Sequence, residues 1–255
     1  MVSEKQPRVL VISVGSWSSK VGSTWPSLLK CYDSENVANI CIRDEYPDSD
    51  VASRYFSISE NRVLKSIFNR NIKTGREIEL QECPEKNQDL AAHNERYSKM
   101  RKNRRYSLLL ARELAWKLGK WKSAELDSFI DSFNPDVILY SMTVYIHHTR
   151  LVEYAIKRTG AKAVAYIWDD TFTYKQSNKI GYKIYRFFQR KSLKRVAKLT
   201  NKFFAISDLT KKEADEFFGI DSIILTKPLY RVPEVDYSNF EMPIKAVYAG
   251  NLFIG

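Results

Sequence analysis

The residues best suited to chemistry lie in three short stretches. After the apolar run Val9–Ile12 comes V-G-S-W-S-S-K-V-G-S, in which Gly15, Ser16 and Gly22 can leave backbone N–H groups uncovered ahead of a helix. Such groups at a helix N-terminus seat phosphate. Gly15 and Gly22 are seven residues apart, which matches neither G-x-G-x-x-G nor the Walker P-loop, so NAD and ATP are disfavoured. The spacing leaves a phosphate seat and a ligand-free connection both open. The second stretch is I-W-D-D, where Asp169 and Asp170 follow an apolar run directly. Two carboxylates at the carboxyl end of a strand can bind sugar hydroxyls, orient an acceptor or act as a base. Capping of the next turn explains one of them, and the pair after Trp168 points to a site. His147 and His148 follow another run, but neighbours on a helix point about 100° apart, so at most one faces a crevice there. A core-satisfied or solvated role suits both.

The third kind of stretch is basic. Ten Lys or Arg and one acid, Glu113, fall between Arg96 and Lys122, and ten more with no acid between Lys175 and Lys202. In Y-K-I-Y-R-F-F-Q-R-K-S-L-K-R, Ile180, Ile184, Phe187 and Phe188 can share one helical face while Lys183, Arg186, Arg190 and Lys194 spread over the others. The earlier window carries Arg101, Lys102, Arg104 and Arg105 among Tyr97, Met100 and Tyr106. A basic amphipathic helix reads as a membrane-surface element, and its alternative is an ordinary helix with its apolar face on a sheet. Two windows without balancing acids favour docking on an anionic membrane surface.

These residues need a frame. Short Val/Ile/aromatic runs begin at Arg8, Ala38, Arg54, Asp136, Ala163, Phe203 and Ile223 and lack strict alternation, as strands covered on both faces do. Between them lie helical patterns: Leu151, Val152, Ala155 and Ile156 before Gly160, and Ala214, Phe217 and Phe218 after Ser207 or Asp208 and before Gly219. The expected fold is α/β, a doubly wound, mostly parallel sheet. Residues 69–94 read as a loop or irregular insertion. Pro228, Pro233 and Pro243 mark 227–243 as an interdomain linker after a domain at 1–226, and 244–255 read as the first strand and glycine turn of a second domain.

The chain has 255 residues, a net charge of +11 and three cysteines without metal-ligand spacing, and it has no 20-residue apolar stretch. The expectation is a cytoplasmic protein, peripheral on the inner membrane face, with a surface that attracts polyanions.

The ordered set of segments resembles the N-terminal, acceptor-side half of a GT-B glycosyltransferase, similar to the family-four group that builds bacterial surface polysaccharides. The Gly/Ser loop, F-N-P-D-V-I-L-Y-S, T-G-A-K-A-V-A-Y-I-W-D-D, F-F-A-I-S-D-L-T-K-K-E-A-D-E-F, the linker and Y-A-G-N-L carry the likeness along the whole chain. The resemblance implies two facing Rossmann-like domains, metal-independent transfer from a nucleotide-sugar donor to a glycan or lipid-linked acceptor, and no tightly bound cofactor. It also implies donor- or acceptor-binding roles for Gly15, Ser16, Gly22, Ser207, Gly250 and Asn251. Asp169 and Asp170 stand where the family often has a His-Asp pair, so a histidine-dependent role is not expected. Glu77 and Glu85 have the family's E-x7-E spacing in the wrong half, a chance match. The chain alone is expected to bind acceptor or membrane at most, without turnover. A basic nucleic-acid-binding protein, with nucleic acid disfavoured as partner, and a non-catalytic partner subunit of a split glycosyltransferase are the rival readings.

Overall fold

The computed structural model describes residues 6–17, 24–43, 46–78 and 106–226. Gly22, Glu85, Arg101, Lys102, Arg104, Arg105, Gly250 and Asn251, the linker and the second-domain strand lie outside them. Eight strands form one sheet: β1 Val9–Ser13, β2 Val37–Cys41, β3 Arg54–Ile58, β4 Gly75–Ile78, β5 Val137–Ser141, β6 Lys162–Ile167, β7 Lys202–Ala205 and β8 Ile223–Ile224. Their order is β4-β3-β2-β1-β5-β6-β7-β8, and every pairing is parallel except β3 with β4. The helices are α1 Thr24–Leu29, α2 Glu60–Lys65, α3 Tyr106–Leu118, α4 Ala124–Phe133, α5 Ile146–Thr159, α6 Ile180–Ala197 and α7 Asp208–Phe218. This is the Rossmann-like, doubly wound arrangement that the alternation of runs and helical patterns predicts.

The central strands are buried on both faces, which is why they lack alternation. Leu10 and Ile12 of β1 point into one core with Phe129 and Ile130 of α4, Leu151 and Ala155 of α5 and Leu193 of α6. Val9 and Val11 point into the other, with Trp17, Trp25 and Leu29. The crossover before β2 and the crossover after β5 therefore cover opposite faces, and the winding reverses between β1 and β5. Helix ends follow local chemistry. Ser123 and Ser207 accept from the backbone N–H three residues on. Gly160 and Gly219 stop α5 and α7 at φ of 68° and 70°, a conformation in which a side chain is strained.

The structure corrects the reading of residues 69–94 in one place, since Gly75–Ile78 is an antiparallel edge strand. An edge strand needs little apolar surface, and G-R-E-I supplies only Ile78 as a large apolar residue. Glu77 binds Arg54 of the neighbouring strand through two bonds, at 2.7 and 3.1 Å, so its carboxylate serves strand pairing. Gly75 is required by the Phe56 ring, whose Cε1 lies 2.5 Å from where a Cβ would be. Gly75→Ala should overpack this contact and lower stability by about 1–3 kcal/mol, read as a reduced urea midpoint with an unchanged slope.

Candidate functional site

The reversal of winding opens a crevice of about 580 Å³ at the carboxyl ends of β1, β5 and β6. Ligands of open α/β sheets bind at such a switch point, and the volume suits a small molecule. Three loops wall it. The first is Ser13–Trp17 with Thr24 and Trp25, the second Ser141–Tyr145, and the third Trp168–Thr171 with Gln176.

Each wall is tied down by polar contacts. In the first, Asn39 of β2 donates to Val11 O and Ser13 Oγ, both at 3.0 Å, and the Ser13 hydroxyl donates to Gly15 O at 2.7 Å. Ser16 donates to Tyr46 O at 3.3 Å, and Asp48 N–H donates to Trp17 O at 3.0 Å. Sequence-predicted Gly15 and Ser16 thus sit in the crevice wall. The second wall is held by α6, where Tyr185 donates to Val144 O at 2.7 Å and Gln189 to Thr143 O at 3.1 Å.

The third wall divides the two aspartates. Asp170 accepts from the N–H groups of Phe172 and Thr173, at 3.2 and 2.8 Å, and from the Thr173 hydroxyl, so it shapes the turn. Asp169 is exposed at the crevice and is the carboxylate free of that task. The turn is anchored by Arg186, a correction to its expected place on a basic surface, because its side chain is buried. Its guanidinium donates to Thr171 O, to Gln189 Oε1 at 2.7 Å, to Gln176 Oε1 at 3.0 Å and to Tyr182 OH at 3.0 Å. Among the described residues no carboxylate pairs with it, so neutral acceptors supply its whole solvation. Ser207 caps α7 and does not line this crevice.

The lining has an unexpected character for so basic a chain. Among the described residues it holds Asp169, Asp170, several Ser and Thr side chains and Gln176, and neither Lys nor Arg. Trp25 and Trp168 lie 5.1 Å apart, and Tyr166 meets Trp168 edge to face at 5.3 Å. Trp17 Nε1 and Thr171 Oγ1, both in the walls, are buried without a hydrogen-bond partner among the described residues. The tryptophans and the loop after β5 escape a reading by motif. The loop's position after a core strand was the available signal.

The N-terminus of α5 also faces this end of the sheet, and its positive end already has an anion. Glu113 of α3 accepts from Ile146 N–H at 3.0 Å and from His147 Nδ1 at 2.9 Å, with Tyr185 OH at 3.3 Å. Burial alone would raise the Glu113 carboxyl, but His147, the Ile146 N–H and Arg112 outweigh it and hold it below its ordinary value. His147 is lowered by burial more than Glu113 raises it, so the pair is carboxylate and neutral imidazole, stacked on Trp116 at 4.4 Å. His148 bonds to Ile12 O at 3.1 Å, and burial pushes it down to about 4. Neither histidine lines the crevice.

A second cavity lies between Phe172–Lys175, α6 and α7. Several of its charges meet one another or aromatic rings. Arg190 stacks on Phe217 at 4.1 Å and Tyr174 at 4.7 Å, Lys194 lies 4.6 Å from the Phe217 ring, and Lys175 pairs with Glu213 at 2.5 Å. Among the described residues no group of three or more His, Cys, Asp or Glu is placed to hold a metal ion, and no helix is long and apolar enough to cross a membrane.

Two outcomes are expected. Both buried histidines have depressed folded-state values, so their stability contribution is complete above pH 6.5 and falls as the unfolded chain takes up protons below it. His148 should contribute about 3 kcal/mol of loss between pH 6.5 and pH 4, seen in urea midpoints and reduced in His148→Gln. Glu113 loses its share at lower pH, from about pH 4.5, where the unfolded carboxyl takes up its proton, down to its own depressed value. Arg186→Lys cannot reach the four acceptors together, and amide exchange at residues 169–176 should accelerate while the circular dichroism spectrum stays native.

Compared with protein-family models and with curated proteins, the chain has no match.

Proposed function

We propose that the crevice binds a neutral, hydroxyl-rich ligand, a sugar, and that this lobe presents the acceptor in a glycosyl transfer reaction. One observation carries the reading. In a chain of net charge +11, the described residues that line the switch-point crevice supply aromatic rings, hydroxyls and carboxylates, and no Lys or Arg is among them. Phosphates and nucleic acids are bound by cations and free helix N-termini. Sugar rings pack their C–H faces on aromatic rings and present hydroxyls to carboxylate, hydroxyl and amide groups. Trp25 and Trp168 supply the first kind of surface, and Asp169 and Gln176 the second.

In the proposed reaction an acceptor hydroxyl lies against Asp169. Its oxygen attacks the anomeric carbon of a nucleotide-sugar donor, the bond from that carbon to the diphosphate oxygen breaks, and the diphosphate leaves with the electron pair. The hydroxyl proton passes to Asp169. The donor diphosphate needs cations, and among the described residues that line the crevice there is no Lys or Arg, so in this reading the donor is held from the opposite side of the crevice. Arg186 acts here as a positioning residue, since it fixes the turn that carries Asp169.

The test uses the tryptophans as reporters. Methyl glycosides of glucose, galactose and N-acetylglucosamine are titrated against the protein, with UDP in parallel. At least one glycoside should change the fluorescence saturably, and Trp168→Ala or Asp169→Asn should weaken it about tenfold, a loss of about 1.4 kcal/mol. Saturable binding of UDP with no response to any glycoside would overturn the reading.

A further inference from the structure

The outer face of α6 reverses the usual arrangement of a surface helix. Ile180, Ile184, Phe187 and Phe188 are 77%, 45%, 57% and 50% exposed. Their spacing places all four on one side of the helix. The opposite side, turned to the protein, carries Tyr182, Tyr185, Arg186, Gln189 and Leu193. The rotation of the helix is not free, because Arg186, Gln189 and Tyr185 bind the crevice loops from within. The apolar residues are therefore held in the solvent-facing position.

Cations frame this stripe. Lys183, Lys191 and Lys194 are exposed along it, and α6 contains no acid. Arg195 pairs with Glu153 at 2.7 Å, whereas Lys183 and Lys191 form no ion pair among the described residues. The Phe187 and Phe188 rings meet edge to face at 5.5 Å and form one raised apolar patch.

Two kinds of group must be satisfied at once. A nucleic acid would neutralise the lysines and leave Ile180 and Ile184 in water. An apolar groove on a protein would take the stripe and leave the lysines without counter-charges. The boundary of an anionic bilayer offers acyl chains at one depth and phosphate charge a few ångströms above it. We propose that α6 is an interfacial docking helix that lies in the plane of an anionic membrane, with Ile180, Ile184, Phe187 and Phe188 below the headgroups and Lys183, Lys191 and Lys194 among them. With 18 residues it is about 27 Å long, and its lysines keep it in the surface plane. This inference does not depend on the sugar-binding reading of the crevice. It links the two surfaces, since the inward side of the docking helix holds two walls of the crevice.

The experiment is co-sedimentation of the full chain with vesicles of phosphatidylcholine alone or with about 30% phosphatidylglycerol, at about 0.1 M salt. The protein should partition onto the anionic vesicles at least tenfold more strongly than onto the neutral ones. Phe187→Ser with Phe188→Ser, and separately Lys183→Glu with Lys191→Glu, should each reduce that partition about tenfold or more with native circular dichroism, since both pairs are exposed. If the phenylalanine pair leaves partition unchanged, binding is a diffuse effect of net charge and the proposal is overturned. It is also overturned if the protein binds duplex DNA in preference to the anionic vesicles and the lysine pair abolishes that binding while the phenylalanine pair leaves it unchanged. A dimer that the phenylalanine substitutions dissociate, with no vesicle binding, would assign the face to a second copy and overturn it too.

Discussion

Arg186 is a buried guanidinium that no described carboxylate pairs with, and the way it is satisfied governs both surfaces of α6. Removing a cation from water is strongly unfavourable unless its donors are all engaged. Here they reach a backbone carbonyl of the β6 loop, two glutamine side chains and a tyrosine hydroxyl. These contacts hold the loop that carries Asp169 at the edge of the crevice. They also set the rotation of α6, and that rotation turns Ile180, Ile184, Phe187 and Phe188 outward. A single side chain thus couples the shape of an interior site to the presentation of an exterior face.

Electrostatics divides the molecule in the same way. Among the described residues, the charged side chains that line the crevice are Asp169 and Asp170, in a chain of net charge +11. The helix end that faces the crevice from α5 is neutralised by Glu113, which is itself held ionised by an imidazole N–H, a backbone N–H and the nearby Arg112. An anionic ligand therefore finds no unopposed positive field at this end of α5. A neutral ligand with many hydroxyls meets hydroxyl, amide and carboxylate groups beside aromatic rings. On the readings proposed above, the two surfaces call for different chemistry, hydroxyls at the switch point and an anionic boundary along α6.

The parallel sheet was readable because buried-on-both-faces strands such as Val9–Ser13 and Val137–Ser141 are short apolar runs that few other contexts produce. Caps at Gly160, Ser207 and Gly219 were readable because their backbone needs are local. Gly75–Ile78 was not, since an antiparallel edge strand is specified by its partner Arg54–Ile58 and by the ion pair between Arg54 and Glu77. The same limit applies to the site. The pair Asp169-Asp170 stood out by position, but which of the two shapes the turn depends on Thr173, and which side of α6 faces inward depends on acceptors in loops far along the chain. Helical periodicity puts Ile180, Ile184, Phe187 and Phe188 together, and it is silent on whether that side meets the sheet or the solvent. Arg186 decided it.

The claim at the centre is that the switch-point crevice takes a neutral sugar. Five tryptophans give five indole N–H signals, of which Trp17, Trp25 and Trp168 line the crevice while Trp116 and Trp121 lie in the core on the other side of the sheet. The direct measurement is the ¹⁵N-edited spectrum of these indoles as methyl glycosides are added. The account predicts progressive shifts of the Trp17, Trp25 and Trp168 signals with Trp116 and Trp121 unmoved. Shifts of the three crevice signals by UDP and by no glycoside would contradict it.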